Sequence, residues 1–224
     1  MLIVAVDTSG RKGSTALCRG DAGGFEVLQL ASLEHGTYSA QLMPLIAQVL
    51  RQQQLGKADV DGFVVVSGPG SFTGLRVGLA TVKGLCEPLS KPLATVSMLE
   101  AIAIAYGRFG ETVTALLDAG RGEVYVGEYK LGDGSAEKIR ESIAKLAQLG
   151  DLLASQGRVF TPDTRIAEVA GTGSGVQLAE PVLADVIGHI GLRKLLAGEE
   201  TDLATADVNY IRRSDAEVFA SPKR

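Results

Sequence analysis

The chain has 224 residues, 46% of them hydrophobic and 21% charged, with a formal net charge of −4. That balance gives a sizeable core and room for one large domain or two small lobes, and it excludes an overall basic field that would draw the chain onto nucleic acid. The two cysteines, Cys18 and Cys86, lack metal-type spacing and read as buried thiols of a reducing compartment.

Taken in order, residues 2–6 form a continuous apolar run without the positive flank of a secretion signal, which predicts a strand buried on both faces. No apolar run reaches membrane-spanning length, so a soluble, cytoplasmic protein is expected. Asp7-Thr8-Ser9-Gly10 ends the strand in a turn whose N–H groups and hydroxyls can face a ligand. Residues 15–18 and 25–30 predict two further strands joined by a hairpin at Asp21-Ala22-Gly23-Gly24. His35, one of two histidines, reads as a capping or packing residue, because no Cys or carboxylate cluster accompanies it. Leu42, Leu45, Ile46 and Val49 make one helical stripe, and Pro44 predicts a start near Gln41 or a bend.

The most informative stretch runs from Gly62 to Gly84, GFVVVSGPGSFTGLRVGLATVKG. Its apolar start predicts a buried strand, its glycines and Pro69 a sharp turn, and Leu75, Leu79, Val82 and Leu85 a helix capped by Ser71 or Thr73. The turn has neither the GxGxxG pattern nor the Gly-Lys-Ser/Thr of a phosphate loop. Gly74 and Gly78 lie four apart on one helix face and predict close approach of another helix, within the core or against a partner.

Residues 91–96 predict a strand and residues 98–105 a helix behind Ser97. Residues 112–117 predict a buried strand ending in Asp118-Ala119-Gly120, and residues 123–129 its hairpin partner. Residues 136–153 have helical composition, with Ile139, Ile143, Leu146 and Leu149 apolar. A short strand over 157–162, a glycine loop over 171–175 and a helix over 182–197 come next, with His189 on the helix surface. Residues 214–224 form a polar, mobile tail.

An internal repeat underlies this order. VAVDTSG at Val4 to Gly10 and ALLDAG at Ala115 to Gly120 each place an Asp and small residues at the end of a buried strand, before a hairpin. Two lobes built on such units are the plan of the actin-like (ASKHA) ATPase fold, an α/β class in which paired Asp-turns grip phosphate and metal. The expected division is residues 1–105 as the first lobe and 106–224 as a smaller second lobe with a polar tail. Asp7, Thr8, Ser9, Asp118 and Gly120 are the candidate nucleotide-binding residues.

With these motifs in hand, the chain resembles the TsaB (YeaZ) family of tRNA threonylcarbamoyladenosine synthesis. The resemblance covers most of the chain. It rests on Val6-Asp7-Thr8-Ser9, on Glu34-His35 leading to Leu42-Met43-Pro44, on GPGSFTGLRVG within residues 67–84, and on DAGRGEVY from Asp118 to Tyr125. Tyr210-Ile211-Arg212 is similar to the family's closing Pro-x-Tyr-Leu-Arg, with Val208 in place of the Pro.

The resemblance implies an actin-like fold with a reduced second lobe. It implies a non-catalytic scaffold or activator that binds TsaD, the related catalytic subunit, with the ATPase TsaE joining them. Transfer RNA would be met only through that complex, and no cofactor is implied. The catalytic relative holds its metal with two His on the helix after residues 93–96, and Met98 and Ile102 take those positions here. The expected partner surface is Leu42, Leu45, Ile46 and Val49 on one helix, with Gly74, Leu75, Gly78, Leu79 and Val82 on the next. The same surface would pair two copies when TsaD is absent. The rival readings are a nucleotide-dependent phosphotransferase or ATPase of the actin-like class, working through Asp7 and Asp118, and a peptidase.

Overall fold

A computed structural model describes residues 1–34, 36–153, 157–209 and 211. His35, Tyr210, Arg212 and the polar tail lie outside the described residues.

The continuous apolar runs become central strands. Strand β1 (Leu2–Asp7) and strand β4 (Gly62–Gly68) are buried along their whole length. Between them come β2 (Lys12–Gly20), β3 (Phe25–Glu34) and helix α1 (Tyr38–Gln52). Helix α2 (Phe72–Leu89), β5 (Leu93–Ser97) and α3 (Met98–Tyr106) complete the first half. Its sheet has the order β3-β2-β1-β4-β5, with β1 antiparallel to β2 and parallel to β4.

The second half repeats the plan. Strands β6 (Thr112–Gly120), β7 (Glu123–Leu131) and β8 (Ala136–Lys145) form an antiparallel meander. Helix α4 (Leu149–Leu153), β9 (Arg158–Thr161), α5 (Thr164–Ala170), β10 (Val176–Leu178) and α6 (Ala184–Leu196) complete it. The second sheet is ordered β10-β9-β6-β7-β8, which read backwards is the first sheet's order. This is the duplicated α/β, actin-like two-lobe fold. The reduction of the second lobe shows in its helices: α4 and α5 have 5 and 7 residues where α1 and α2 have 15 and 18.

Each half sends its last helix into the space between the sheets. Helix α3 packs on β6 and β7, whereas α6 packs on β1, β2, β4 and β5. Gly191 lets α6 lie directly on Val64, and Ile187, Ile190 and Leu195 are buried there. Burying such a side chain fully contributes about 1.5–3 kcal/mol, so this helix stabilises the first sheet although it comes from beyond residue 106.

Three local expectations are corrected. Helix α1 begins at Tyr38, earlier than Gln41, and carries Pro44 in its interior. Residues 136–145 are the edge strand β8, because pairing with β7 outweighs a helix-like apolar spacing; helical turns begin only at Leu146. His189 is half-buried, its ring 4.8 Å from that of Phe25, where burial and the nearby Arg193 lower its pKa. Both rings line a cavity of about 430 Å³ between the β2–β3 hairpin and the end of α6. It lies at the end of the sheet opposite Asp7, since Leu2 pairs with Arg19 and Asp7 with Ser14.

Candidate functional site

The turn after β1 is a closed structure. Ser9 donates its backbone N–H (2.8 Å) and hydroxyl (2.6 Å) to the same Asp7 carboxylate oxygen. The Thr8 hydroxyl donates to the Gly74 carbonyl at 2.7 Å, and the Ser71 N–H donates to the Ser9 carbonyl at 2.7 Å. Ser71 caps α2 by accepting the Gly74 N–H at 3.3 Å, so the cap that starts the helix also fixes it over the turn. The glycines make this approach possible. A Cβ at Gly74 would collide with the Thr8 carbonyl, one at Gly78 with the Thr8 hydroxyl, and one at Gly70 would lie 2.5 Å from the Ser9 carbonyl.

The consequence is a dry turn: Asp7, Thr8 and Ser9 are only 2%, 1% and 6% exposed. Burial raises the Asp7 pKa from 3.8 to about 6, against the hydrogen bonds from Ser9 that lower it. The Tyr38 hydroxyl donates to the Gly10 carbonyl at 2.9 Å, and its pKa is pushed up to about 12 by burial and then by the Asp7 charge. Polar groups that could hold a phosphate are here bonded to one another.

The turn after β6 is built differently. Arg121 and Gly122 close the hairpin at φ +56° and +76°, the left-handed pair of a two-residue hairpin, with Ala119 skipped in the pairing register. Asp118 is exposed. Its carboxylate accepts the Gly120 N–H at 2.9 Å, and its own N–H donates to the Asp163 carboxylate at 2.8 Å. Among the described residues no hydrogen bond or ion pair joins this turn to Asp7, so the five nucleotide candidates form two separate groups.

The expected partner surface is corrected. Leu42, Ile46, Val49, Leu75, Leu79 and Val82 are all buried within the chain, as are Gly74 and Gly78, and Leu45 is half-buried. The stripe that periodicity reveals on a helix is the face the sheet needs, and Gly74 and Gly78 receive the Thr8 turn, not a partner. The outer face of the same two helices carries exposed Met43 and Phe72 (46% and 44%), with Ala80 and Gly84 also exposed. The Arg76 guanidinium lies 3.8 Å over the Phe72 ring. A Cβ at Gly84 would meet nothing within 4 Å.

Sequence reasoning passed over one cluster altogether. Glu141 on β8 accepts the Ser97 hydroxyl at 2.6 Å, the Tyr129 hydroxyl, and the Asn209 side-chain amide at 2.9 Å. Read at period two, Glu141 shares a strand face with Ile143, a signal that a helical reading erased, while the pairing register skips the exposed Ile139. Met98 and Ile102 are buried in the core, 7% and 0% exposed. Among the described residues no three His, Cys, Asp or Glu side chains come together in a way that could hold a metal ion. Among the described residues no helix is long and apolar enough to cross a membrane.

Comparison with known proteins agrees with this architecture. The family model described as "TsaD: tRNA N6-adenosine threonylcarbamoyltransferase" matches residues 29–217. The tRNA threonylcarbamoyladenosine biosynthesis protein TsaB of Bacillus subtilis is 30% identical, over 85% of this chain and 79% of its own. A tRNA N6-adenosine threonylcarbamoyltransferase of Methylobacterium nodulans is 35% identical over 79% of this chain but only 48% of its own. The crystal structure of YeaZ from Pseudomonas aeruginosa superposes with a TM-score of 0.75 at 23% identity, covering 92% of this chain and 99% of that one. The chain belongs to the TsaB (YeaZ) family of tRNA threonylcarbamoyladenosine biosynthesis proteins.

Proposed function

We propose that the chain serves threonylcarbamoyladenosine synthesis as a non-catalytic subunit that docks onto the catalytic relative TsaD, in a complex that TsaE also joins. The observation that carries this reading is the closed Asp7 turn. Thr8 and Ser9 spend their hydrogen bonds on Gly74 and Asp7, and Gly74 and Gly78 bring the α2 backbone directly onto the turn where a phosphate would have to sit. Met98 and Ile102, which the family resemblance sets at the metal-binding His positions of the catalytic relative, support it further, because apolar side chains in a core offer a metal no ligand.

Docking falls to the outer face of α1 and α2. Thr73, Val77, Ala80 and Gly84 recur at helical spacing on the side turned from the sheet, and small residues there allow a second helix pair to approach closely. The same face would pair two copies of the chain when TsaD is absent.

Reconstitution with TsaD tests this. Gly84→Arg puts a bulky charge into open space, so the fold is retained while co-purification with TsaD and tRNA modification by the mixture are lost. A folded Gly84→Arg protein that still binds and supports TsaD normally would place the docking surface elsewhere. Threonylcarbamoyl transfer by the isolated chain would contradict the non-catalytic assignment.

A further inference from the structure

Residues 199–209 return to the first sheet and run along it to the second. The Thr201 N–H donates to the Leu93 carbonyl at 2.7 Å, and the Thr95 N–H donates to the Thr201 hydroxyl at 3.2 Å, so the segment begins on the β5 edge. The Lys83 ammonium of α2 holds the Ala206 carbonyl at 3.0 Å, and Val208 is buried. The Asn209 N–H then donates to the Ser67 carbonyl at the end of β4 (2.8 Å), while its side-chain amide donates to Glu141 on the second sheet.

Glu141 is the meeting point. Its side chain is 6% exposed, and its donors come from three parts of the molecule: Ser97 at the end of β5, Tyr129 on β7, and Asn209 on the returning segment. The Ser97 and Tyr129 hydroxyls are themselves 3.3 Å apart, and Lys138 lies 3.9 Å away on the strand's outer side. A carboxyl group this buried, once its donors are gone, is left with polar atoms that nothing satisfies. Loss of the strand-end donor or of the segment donor leaves the other two facing an unsatisfied charge, which makes the cluster cooperative.

We propose that residues 199–209 act as a strap, latched by Asn209 onto Glu141, that holds the ends of β4 and β5 against β7 and β8 and so sets the angle between the lobes. Release of the latch frees the Ser67 carbonyl and one Glu141 oxygen together, and strap departure and lobe opening are one event. This device is independent of the Asp7 turn and of the outer face of α1 and α2.

Residue-resolved amide hydrogen exchange on the full chain reads the latch directly. Asn209→Asp keeps the size but sets a second carboxylate against Glu141. Exchange at the amides of residues 201 and 209 then speeds up by at least about ten-fold, while the Val4 and Val65 amides in the central strands change less than about two-fold. Adding Glu141→Gln restores a donor–acceptor pair in the opposite sense, because the new amide can give to the carboxylate at 209 and still accept from Ser97 and Tyr129. The double variant therefore returns toward the parent rates. Unchanged exchange at 201 and 209 in Asn209→Asp, or no recovery in the double variant, overturns the proposal. Equal acceleration at Val4 and Val65 also overturns it, since the contact would then serve global stability and not a latch.

Discussion

Two turns of nearly the same sequence plan occupy equivalent places in the two sheets, yet only one of them is open. Asp7 ends β1 and is 2% exposed beneath α2, whereas Asp118 ends the matching strand β6 and faces solvent. The difference lies in the helix behind each sheet's fourth strand. In the first half an 18-residue helix, capped by Ser71, is pulled onto the turn by the Thr8–Gly74 hydrogen bond. In the second half the corresponding helix α5 has seven residues, and Asp163 at its start reaches the turn by accepting the Asp118 N–H. An Asp at a strand end is therefore no site by itself; the neighbouring helix decides whether it can meet a ligand or becomes part of the core.

The comparison breaks most visibly at the glycines. Gly74→Ala forces a Cβ into the Thr8 carbonyl, a backbone atom that cannot swing aside, and is expected to cost about 3 kcal/mol or more, with Gly78→Arg failing to fold. Gly120→Ala at the second turn meets nothing within 4 Å and bears only the strain of φ +70°, about 1 kcal/mol. Urea unfolding of the two alanine variants separates them; equal losses would mean that the first turn is no more tightly enclosed than the second.

The pH dependence of stability sharpens the same contrast. The Asp7 carboxyl is raised from 3.8 to about 6, so the folded protein keeps a proton that the unfolded chain has already lost. The stability this contributes is fully present below about pH 3.8 and is lost as pH rises through about 6, a change of about 3 kcal/mol. Asp7→Asn should remove that slope between pH 4 and 6, while Asp118→Asn should leave it in place and change stability by less than about 0.5 kcal/mol. An unaltered slope in Asp7→Asn would show that Asp7 is hydrated.

A smaller effect is expected next to the first turn. Thr15, paired with Val6, has a fully buried hydroxyl without a hydrogen-bond partner among the described residues. Thr15→Val removes an uncompensated polar group at nearly constant shape and should raise stability by about 1 kcal/mol. Destabilisation on thermal unfolding would indicate an ordered water at that hydroxyl.

Much of this was legible in the sequence, for identifiable reasons. Strands β1, β4, β6 and β7, helix α2 with its Ser71 cap and the repeated Asp-turn all derive from apolar runs, glycine punctuation and period. Gly74 and Gly78 announced a close approach by another helix, but a pair of small residues cannot say which neighbour arrives, and the neighbour is the Thr8 turn. The reading of residues 136–145 failed because Ile139 and Ile143 fit a helix, while the edge of the second sheet offered that segment a ladder of backbone bonds. With that strand misread, Glu141 could not be placed, and neither could Asn209, whose role depends on a segment crossing between sheets. The return of α6 to the first sheet is likewise a long-range outcome, invisible to any local pattern.

The claim that the Asp7 turn is closed, and that the chain acts by docking and not by nucleotide chemistry, is tested most directly by calorimetric titration of the isolated protein with magnesium ATP. The closed turn predicts no saturable heat up to millimolar nucleotide. One-site binding with a Kd on the order of 10 µM, abolished by Asp7→Asn, would contradict it.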